Sequence, residues 1–364
     1  MDFFLDYLRK LKIADVLNAK DRISSIDFFR GIAIITVVIY HFERILPYGY
    51  LGVDLFFVIS GFLVGGILIK DVLLERRINY FKFILQRGFK IWPSYYFFIF
   101  LGLGVAYLLY RNSEPSQIIP WWDLKRYLLF YQNYTGAPFH NIFDHVWSLC
   151  VEEHFYLVFP FLFIFIQKFI KAELRKKYLF IFMGLVIICG VLFKLLSLHY
   201  TNSKDTYSGT HNRIDALAWG AMLSLIIFNY GNRLKEIKNI YFVSLLGVVI
   251  FVLSIFIKVK CNSFYFDKII FHSLVPFSFF LLVLGLYHYD FSRFKVIRVM
   301  AYYSYNWYLW HTIFTIVCSQ YIGVNVVGLI TYLIITFTVA VFATVIVEEP
   351  TLAIRGKILK KIFD

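Results

Sequence analysis

Residues 30–41 read RGIAIITVVIYH, an apolar run that begins with an arginine and ends with a histidine. A helix rises about 1.5 Å per residue, so Arg30 and His41 would lie roughly 16 Å apart on one face. Asp27, one turn earlier, falls on the same face. Ionisable groups inside a membrane are costly unless they are paired or hydrated. The run therefore predicts a membrane helix with a functional polar face rather than an inert anchor.

Composition extends this prediction to the whole chain. Of the 364 residues, 60% are hydrophobic and 16% are charged, whereas soluble proteins carry about 25% charged residues. Apolar runs of roughly 17 to 25 residues recur along the sequence. They predict an all-α, polytopic bundle of about ten transmembrane helices embedded in a lipid bilayer. The predicted spans are 26–42, 51–69, 91–110, 147–166, 178–198, 213–229, 241–257, 269–287, 304–319 and 327–346.

The distribution of basic residues predicts the orientation of the bundle. The chain has 37 Lys and Arg residues and a net charge of +14, and most of these residues lie in alternate segments between the spans. This bias predicts that both termini are cytoplasmic and argues against nucleic acid as a partner. We expect an amphipathic cytoplasmic segment over 1–25, the membrane domain over 26–350 and a basic cytoplasmic tail over 351–364. The four scattered cysteines show no metal-binding spacing, so no metal is expected.

Polar side chains are also predicted at the outer mouth of two further spans. Asp54 begins the second span at a depth similar to the histidine of the first, where a carboxylate could orient an imidazole. In the fourth span, Ser148, Glu152 and Tyr156 recur every four residues and share one helix face. A glutamate at the mouth of a span is expensive to keep there, which favours a functional role. Structural pairing with an outer base such as Arg213 is the alternative.

Two other groups could line a path through the bundle. The ninth span carries Ser304, Trp307 and His311 on one face, a polar and aromatic strip that fits a cavity wall, although hydrogen-bonded packing is the alternative. On the predicted cytoplasmic side, five basic residues around the start of the third span could bind a polyphosphate. Basic inner loops are also expected from topology alone. These five residues are Arg76, Arg77, Lys82, Arg87 and Lys90.

Taken together, these segments resemble the acyltransferase 3 family of integral membrane acyltransferases. The first span matches the family's R-x10-H spacing through Arg30 and His41, and a VEEP motif matches at 347–350. Where the family usually has RRxxRI-x-P, this chain reads QRGFKIWP at 86–93, so two basic positions differ. Further matching elements, in the family's order, are 26–31, 52–63, 147–156 and 303–311.

The resemblance implies transfer of an acyl group, commonly acetyl, from cytoplasmic acyl-CoA to a hydroxyl of an extracytoplasmic carbohydrate or glycolipid. It also implies a multi-pass protein of the bacterial cytoplasmic membrane. Some relatives add a soluble esterase-like domain, whereas this chain stops about 18 residues after its last predicted span. We therefore expect the membrane domain or a separate protein to complete the transfer.

Within that scheme, His41 is the expected base that takes the proton of the acceptor hydroxyl, with Asp54 or Glu152 holding its imidazole. A covalent acyl-histidine is equally compatible with these residues. The phosphates of acetyl-CoA, the expected donor, would lie near Arg76, Arg77, Arg87 and Lys90. The expected substrate-binding residues are Asp27, Arg30, Ser148, Tyr156, Trp307 and His311.

A transporter or a flippase for lipid-linked sugars is the rival interpretation. Asp27, Arg30, His41 and His311 would then form a proton or substrate path. Paired inverted halves would favour this interpretation, but the sequence contains no such internal symmetry. Stabilisation by acetyl-CoA would separate the two classes, because a transporter has no need of CoA.

Overall fold

The computed structural model describes residues 22–134, 140–201 and 207–363, which form helices without a β-strand. Residues 1–21 of the predicted amphipathic segment lie outside the described residues. Nine helical segments in the described part are long and apolar enough to cross a membrane. A helix coincides with each of the ten predicted spans, so the prediction of an all-α, multi-pass membrane bundle is confirmed. The helices are α1 (Ser24–His41), α2 (Gly49–Leu73), α3 (Tyr80–Tyr110), α4 (Trp147–Phe169), α5 (Ala172–Thr201), α6 (Ile214–Glu236), α7 (Tyr241–Cys261), α8 (Phe266–Leu286), α9 (Lys295–Tyr321), α10 (Val326–Ala343) and α11 (Glu349–Phe363).

The helix α9 differs from the nine apolar segments in composition. Its 27 residues are enough to cross a membrane, but it is too polar to be counted among them. It packs against α1 and α10, and its Ser304, Asn306 and His311 side chains are fully buried. A helix enclosed by other helices can carry polar groups, because protein neighbours rather than lipid surround them.

The helix α3 begins at Tyr80, well before the predicted start of the third span at residue 91. Asn79 caps it, because its Oδ1 accepts a hydrogen bond of 3.0 Å from the backbone N–H of Lys82. Hydropathy missed these first turns because they carry several basic side chains. Arg87 and Lys90 therefore lie on the same continuous helix as the third span, and α11, which contains most of the predicted tail, packs along it.

Between α3 and α4 the chain forms a short helix, Leu124–Leu128, and 3-10 turns at Gln132–Tyr134 and Asp144–Val146. The last of these turns runs directly into α4. This continuity places His145 at the mouth of the fourth span, one residue before Val146 and on the same side of the bundle as the end of α1.

The helices α2 and α6 cross closely, and this crossing fixes how their first turns lie against each other. A Cβ atom added to Gly61 would lie 2.0 Å from the carbonyl oxygen of Leu217, and one added to Gly220 would lie 1.9 Å from that of Val58. Glycine is therefore required on both sides of the contact, as in other membrane helix pairs that approach through small residues. At this crossing α2 contains a π-helical turn over Gly61–Gly65. The crossing brings the start of α6 against the start of α2.

Candidate active site

A central cavity of about 180 Å³ lies inside the bundle, walled by α1, α2, α3, α4 and α9. The walls are mainly apolar but include four ionisable side chains. These are the cations Arg30, Arg87 and Lys90 and the acid Glu152. On the same measure a single water needs about 10–15 Å³, so the cavity can hold several water molecules.

Hydrogen bonds order the polar groups of the central cavity. Arg30 Nη2 donates to Ser304 Oγ at 3.0 Å, which joins α1 to α9. The Tyr156 hydroxyl donates to Glu152 Oε2 at 3.0 Å and lies 2.8 Å from Ser60 Oγ. The structure therefore brings Ser148, Glu152 and Tyr156 to one cavity, as their common spacing suggested. Glu152 does not pair with Arg213, which the sequence suggested as its alternative partner.

The four basic residues expected around the donor phosphates are divided between different places. Arg87 and Lys90 line the central cavity, and Lys90 also pairs with the buried Glu348. Arg76 and Arg77 are exposed in the preceding loop, and neither lines the central cavity. Only Arg87 and Lys90 of the four therefore reach the central cavity, and the role of all four at the donor phosphates stays a prediction. The two arginines precede the capped start of α3, whereas Arg87 and Lys90 lie two to three turns along it.

Two further cavities continue the central one in opposite directions, and they are called inner and outer after the predicted orientation of the bundle. An inner cavity of about 340 Å³, lined by Asp27 among others, shares Arg30, Leu63 and Lys90 with it. An outer cavity of about 320 Å³ contains His41 and shares Val53 and Tyr308 with it. The three cavities thus form a series along the Asp27-to-His41 face of α1. Val53 and Tyr308 form the boundary on the His41 side.

Three histidines from three different elements meet at the outer cavity or beside it. The His41 ring centroid lies 4.7 Å from that of His311 and 6.5 Å from that of His145, and the latter two are 5.0 Å apart. No group of three or more His, Cys, Asp or Glu side chains placed to hold a metal ion occurs in the part of the chain that the structure describes.

Backbone carbonyls select the tautomer of each neutral imidazole. His41 Nδ1 lies 2.9 Å from the carbonyl oxygen of Val37, and a carbonyl can only accept, so Nδ1 carries the proton. His41 Nε2 then keeps its lone pair. His311 likewise uses Nδ1, 2.7 Å from the Tyr308 carbonyl, and leaves its buried Nε2 without a partner among the described residues. His145 donates through Nε2 to the Leu309 carbonyl at 3.2 Å.

Asp54 does not hold His41. It forms a fully buried ion pair with Arg213 at the start of α6, and its Oδ2 has no hydrogen-bond partner among the described residues. The α2–α6 crossing explains this pairing, because it presses the two helix starts together. Neither Asp54 nor Glu152 makes the predicted contact with the imidazole, whose orientation comes from the carbonyl of Val37.

Trp307 and His311 do not line the cavities as expected, whereas Asp27 does. Trp307 does not line any of the three cavities, because its Nε1 donates to Thr336 Oγ1 of α10 at 2.9 Å. The cavity-facing residues of α9 are Ser304, Tyr305 and Tyr308. Asp27 does line the inner cavity, but its carboxylate is held by two hydrogen bonds of 2.8 and 2.6 Å from Arg22.

Sequence reasoning overlooked His145 and Tyr308. The Tyr308 hydroxyl donates to the His145 carbonyl at 2.7 Å and lies 2.6 Å from Ser148 Oγ. One available signal was that His145 lies just before a span, much as His41 lies at the end of one. The other was that Tyr308 lies one turn before His311. Both signals are weak without knowledge of which helices face one another.

The outer cavity also has a phenol that can act as a hydrogen-bond donor. Burial raises the pKa of Tyr207 well above its ordinary value, and the nearby Asp54 carboxylate adds to this effect. Its hydroxyl therefore stays protonated, and it has no partner among the described residues. The Arg213 guanidinium lies 4.5 Å from the centre of the same ring. The buried ion pair thus holds a wall of the outer cavity in place.

Comparison with known proteins identifies the family. A family model described as an acyltransferase domain matches residues 23–348. The chain belongs to the acyltransferase 3 family. This membership confirms the resemblance seen in the sequence, and the acyltransferase 3 domain of this chain is a multi-pass membrane domain.

Curated relatives of the acyltransferase 3 chain come from Staphylococcus aureus. The protein named "Putative O-acetyltransferase SACOL0978" of strain COL is 30% identical over 217 residues, which cover 56% of this chain and 35% of the relative. O-acetyltransferase OatA of strain NCTC 8325 / PS 47 is 26% identical over 343 residues, which cover 88% of this chain and 55% of the relative. The chain thus spans between about a third and about half of the length of these relatives. No solved structure matches the chain significantly.

Proposed function

We propose that this protein transfers an acyl group, most naturally acetyl, from cytoplasmic acyl-CoA to a hydroxyl of an extracytoplasmic glycan or glycolipid. The observation that carries the proposal is the series of three cavities along α1, with cations at one end and a histidine at the other. Membership of an acyltransferase family supports the enzyme over the transporter. The names of the relatives support O-acetylation.

On the donor side, the acyl-thioester arm would occupy the central cavity. Arg87 and Lys90 would contact the CoA phosphates, with Arg30 farther along the path. Lys90 is already paired with Glu348, and Asn306 Nδ2 also donates to that carboxylate at 2.7 Å. Arg87 is therefore the cation most available for the donor, and its planar guanidinium can bind a phosphate through two parallel hydrogen bonds.

On the acceptor side, His41 Nε2 would take the proton of the attacking hydroxyl. The new bond joins the acceptor oxygen to the acyl carbon, the carbon–sulfur bond breaks, and the thiolate of CoA receives the proton from the imidazolium. If the acyl group first joins Nε2, the same nitrogen is the nucleophile, and the carbon–sulfur bond breaks as CoA leaves as its thiolate. In the second step the hydroxyl attacks the acyl carbon, the carbon–nitrogen bond breaks, and the thiolate takes the proton of the hydroxyl. A positioned general base contributes typically 10²- to 10⁴-fold.

Tyr308 is the proposed donor to the thioester oxygen. It borders both the central and the outer cavity, which is where the acyl carbon must be when the acceptor attacks. Its hydroxyl and that of Ser148 both have the His145 carbonyl as acceptor, at 2.7 and 3.2 Å. One of the two protons can therefore turn to a developing oxyanion without leaving that carbonyl unpaired. Such preorganised donors stabilise the negative charge of the transition state.

The outer cavity has the composition of a sugar site. Both aromatic rings and hydrogen-bonding groups line it, including Tyr40, Tyr50, Asp144, Trp147, Tyr207 and Lys258. The Lys258 ammonium lies 3.2 Å from the Tyr50 hydroxyl and 2.6 Å from Asp267 Oδ1. Ring faces pack on the apolar faces of sugars while polar groups bind their hydroxyls. This composition is the reason to look for the acceptor among glycans.

The deciding experiment measures CoA release from acetyl-CoA by purified protein, with thermal stability recorded in the same buffer. We expect acetyl-CoA to stabilise both the wild type and His41→Ala, and only the wild type to release CoA. His199→Ala, a change at an exposed histidine outside the site, is the matched control and should behave as the wild type.

Two results would contradict parts of the proposal, and a third would change the assay. Absence of both stabilisation and release in folded protein would remove the acyl-CoA donor and favour the transporter. Equal release by His41→Ala and wild type would remove His41 from the chemistry. Stabilisation without release in either protein would show that water cannot replace the acceptor, and the assay is then repeated in membranes that contain the native glycan.

A further inference from the structure

A fourth cavity lies apart from the three in series. It opens where α3 begins and α4 ends, and it has a volume of about 810 Å³. Three cations, Arg77, Lys82 and Lys168, line it, and no carboxylate is among its lining residues. We call it the basal groove. Of the two arginines that the sequence suggested for the donor phosphates and that do not line the central cavity, Arg77 lines this groove.

One face of α4 connects the basal groove to the lipid-facing surface. Phe161, Ile164, Phe165 and Lys168 follow the i, i+3, i+4, i+7 pattern of a single helix face. The side chains of Phe161 and Phe165 are 57% and 60% exposed. The ring of Tyr80, which also lines the groove, lies 4.1 Å from that of Phe161. An apolar surface therefore runs along the membrane span and ends at a cation.

Contacts within the protein hold the walls of the groove in place. Gln167 Nε2 at the end of α4 donates to the carbonyl oxygen of Arg76 at 2.7 Å. The Lys82 ammonium lies 5.9 Å from the centre of the Phe363 ring at the end of α11. The loop before α3, the end of α4 and the end of α11 therefore form a single preorganised site.

We propose that the basal groove binds an anionic glycerophospholipid of the predicted cytoplasmic leaflet. The phosphate would lie among Arg77, Lys82 and Lys168, and an acyl chain would follow Phe161 and Phe165. Basic pockets between membrane helices on the cytoplasmic side recognise such headgroups. Acyl-CoA fits less well, because the apolar face leads along the outside of the bundle and not into the central cavity. This site does not depend on the proposed acyl transfer.

The test is a lipid titration of the detergent-solubilised full chain, followed by native mass spectrometry. Phosphatidylglycerol is the anionic probe and phosphatidylcholine is the zwitterionic probe. We expect phosphatidylglycerol to bind the wild type more tightly, and Arg77→Gln and Lys168→Gln each to weaken it by about fivefold, as expected for one basic residue near an anionic headgroup. Arg76→Gln is the matched control, since Arg76 is the exposed neighbour that does not line the groove. It should leave the affinity unchanged.

Three outcomes would overturn the proposal. Equal weakening by Arg76→Gln and Arg77→Gln would mean that diffuse positive charge attracts the lipid. Equal binding of the two lipids would remove the headgroup site. Displacement of the lipid by acetyl-CoA in the wild type, combined with loss of acetyl-CoA binding in Arg77→Gln, would make the groove part of the donor site. The melting temperature of each variant is measured alongside as the control for folding.

Discussion

Replacing Tyr308 by phenylalanine tests whether its hydroxyl has a catalytic role or only a structural one. The change removes one oxygen, which lies 2.6 Å from Ser148 Oγ and 2.7 Å from the His145 carbonyl. If the hydroxyl only supports the fold, its loss costs the net value of a hydrogen bond, about 0.5–1.5 kcal/mol. Ser148 Oγ, 3.2 Å from the same carbonyl, would still satisfy it. The turnover number should then scarcely change.

A role in oxyanion stabilisation predicts a different result for the same variant. Removing one preorganised donor lowers kcat by roughly 10²- to 10³-fold, or about 2.7–4 kcal/mol in the barrier. KM for acetyl-CoA should stay close to the wild-type value, because the donor acts on charge that develops only in the transition state. We therefore expect Tyr308→Phe to show a large loss of kcat with a small change in melting temperature.

The assay is steady-state CoA release in membranes that contain the native acceptor, together with thermal stability of the purified variant. Tyr305→Phe provides the matched control. Tyr305 is on the same helix and lines the same central cavity, but its hydroxyl donates to the Ile91 carbonyl at 2.7 Å. If both variants lose the same fraction of kcat, or if Tyr308→Phe keeps the wild-type kcat, the assignment of Tyr308 to the oxyanion is refuted.

Three other changes test the donor site and the fold. Arg87→Ala should raise KM for acetyl-CoA about tenfold, because a charge-assisted hydrogen bond contributes about 1.5–3 kcal/mol, while Arg76→Ala should leave KM unchanged in the same CoA-release assay. Arg213→Met leaves its buried aspartate partner unpaired and should cost about 3–5 kcal/mol, seen as a large fall in melting temperature; a wild-type melting curve would mean that the pair contributes nothing. Gly220→Ala places a Cβ 1.9 Å from a backbone oxygen and should destabilise the bundle by at least about 1–3 kcal/mol, whereas Gly184→Ala, where nothing lies within 4 Å, should melt as the wild type does.

In the proposed function, the donor and the acceptor meet at the boundary between the central and the outer cavity. Arg30 and Lys90 line both the inner and the central cavity, so the donor arm would pass cations before it reaches the reaction centre. Only Val53 and Tyr308 line both the central and the outer cavity. A smaller side chain at this boundary, as in Val53→Ala, would widen the opening between the two cavities and is therefore expected to expose the thioester to water.

Much of the fold was present in local patterns of the sequence. Apolar runs predicted the spans that coincide with α1 to α10, because a segment that crosses lipid is mainly apolar over a length fixed by the bilayer, although α9 is more polar than the others. The three polar residues of α4, spaced four apart, were predicted to share a face, and they line one cavity. The R-x10-H spacing of α1 placed Arg30 and His41 on a common face, and the cavities follow that face. These properties depend on one helix at a time.

Only the tertiary structure decided which side chains of different helices face one another. Asp54 was expected to hold the imidazole, but the glycine-mediated crossing of α2 and α6 delivers Arg213 to it instead. Trp307 shares a helix face with Ser304 in sequence, yet it is turned to Thr336 of α10. The meeting of His41, His145 and His311 joins residues more than 100 positions apart. A sequence pattern predicts which face of its own helix a residue lies on. The residue that it contacts on another helix depends on how the two helices cross, and close packing at a few small residues decides that crossing.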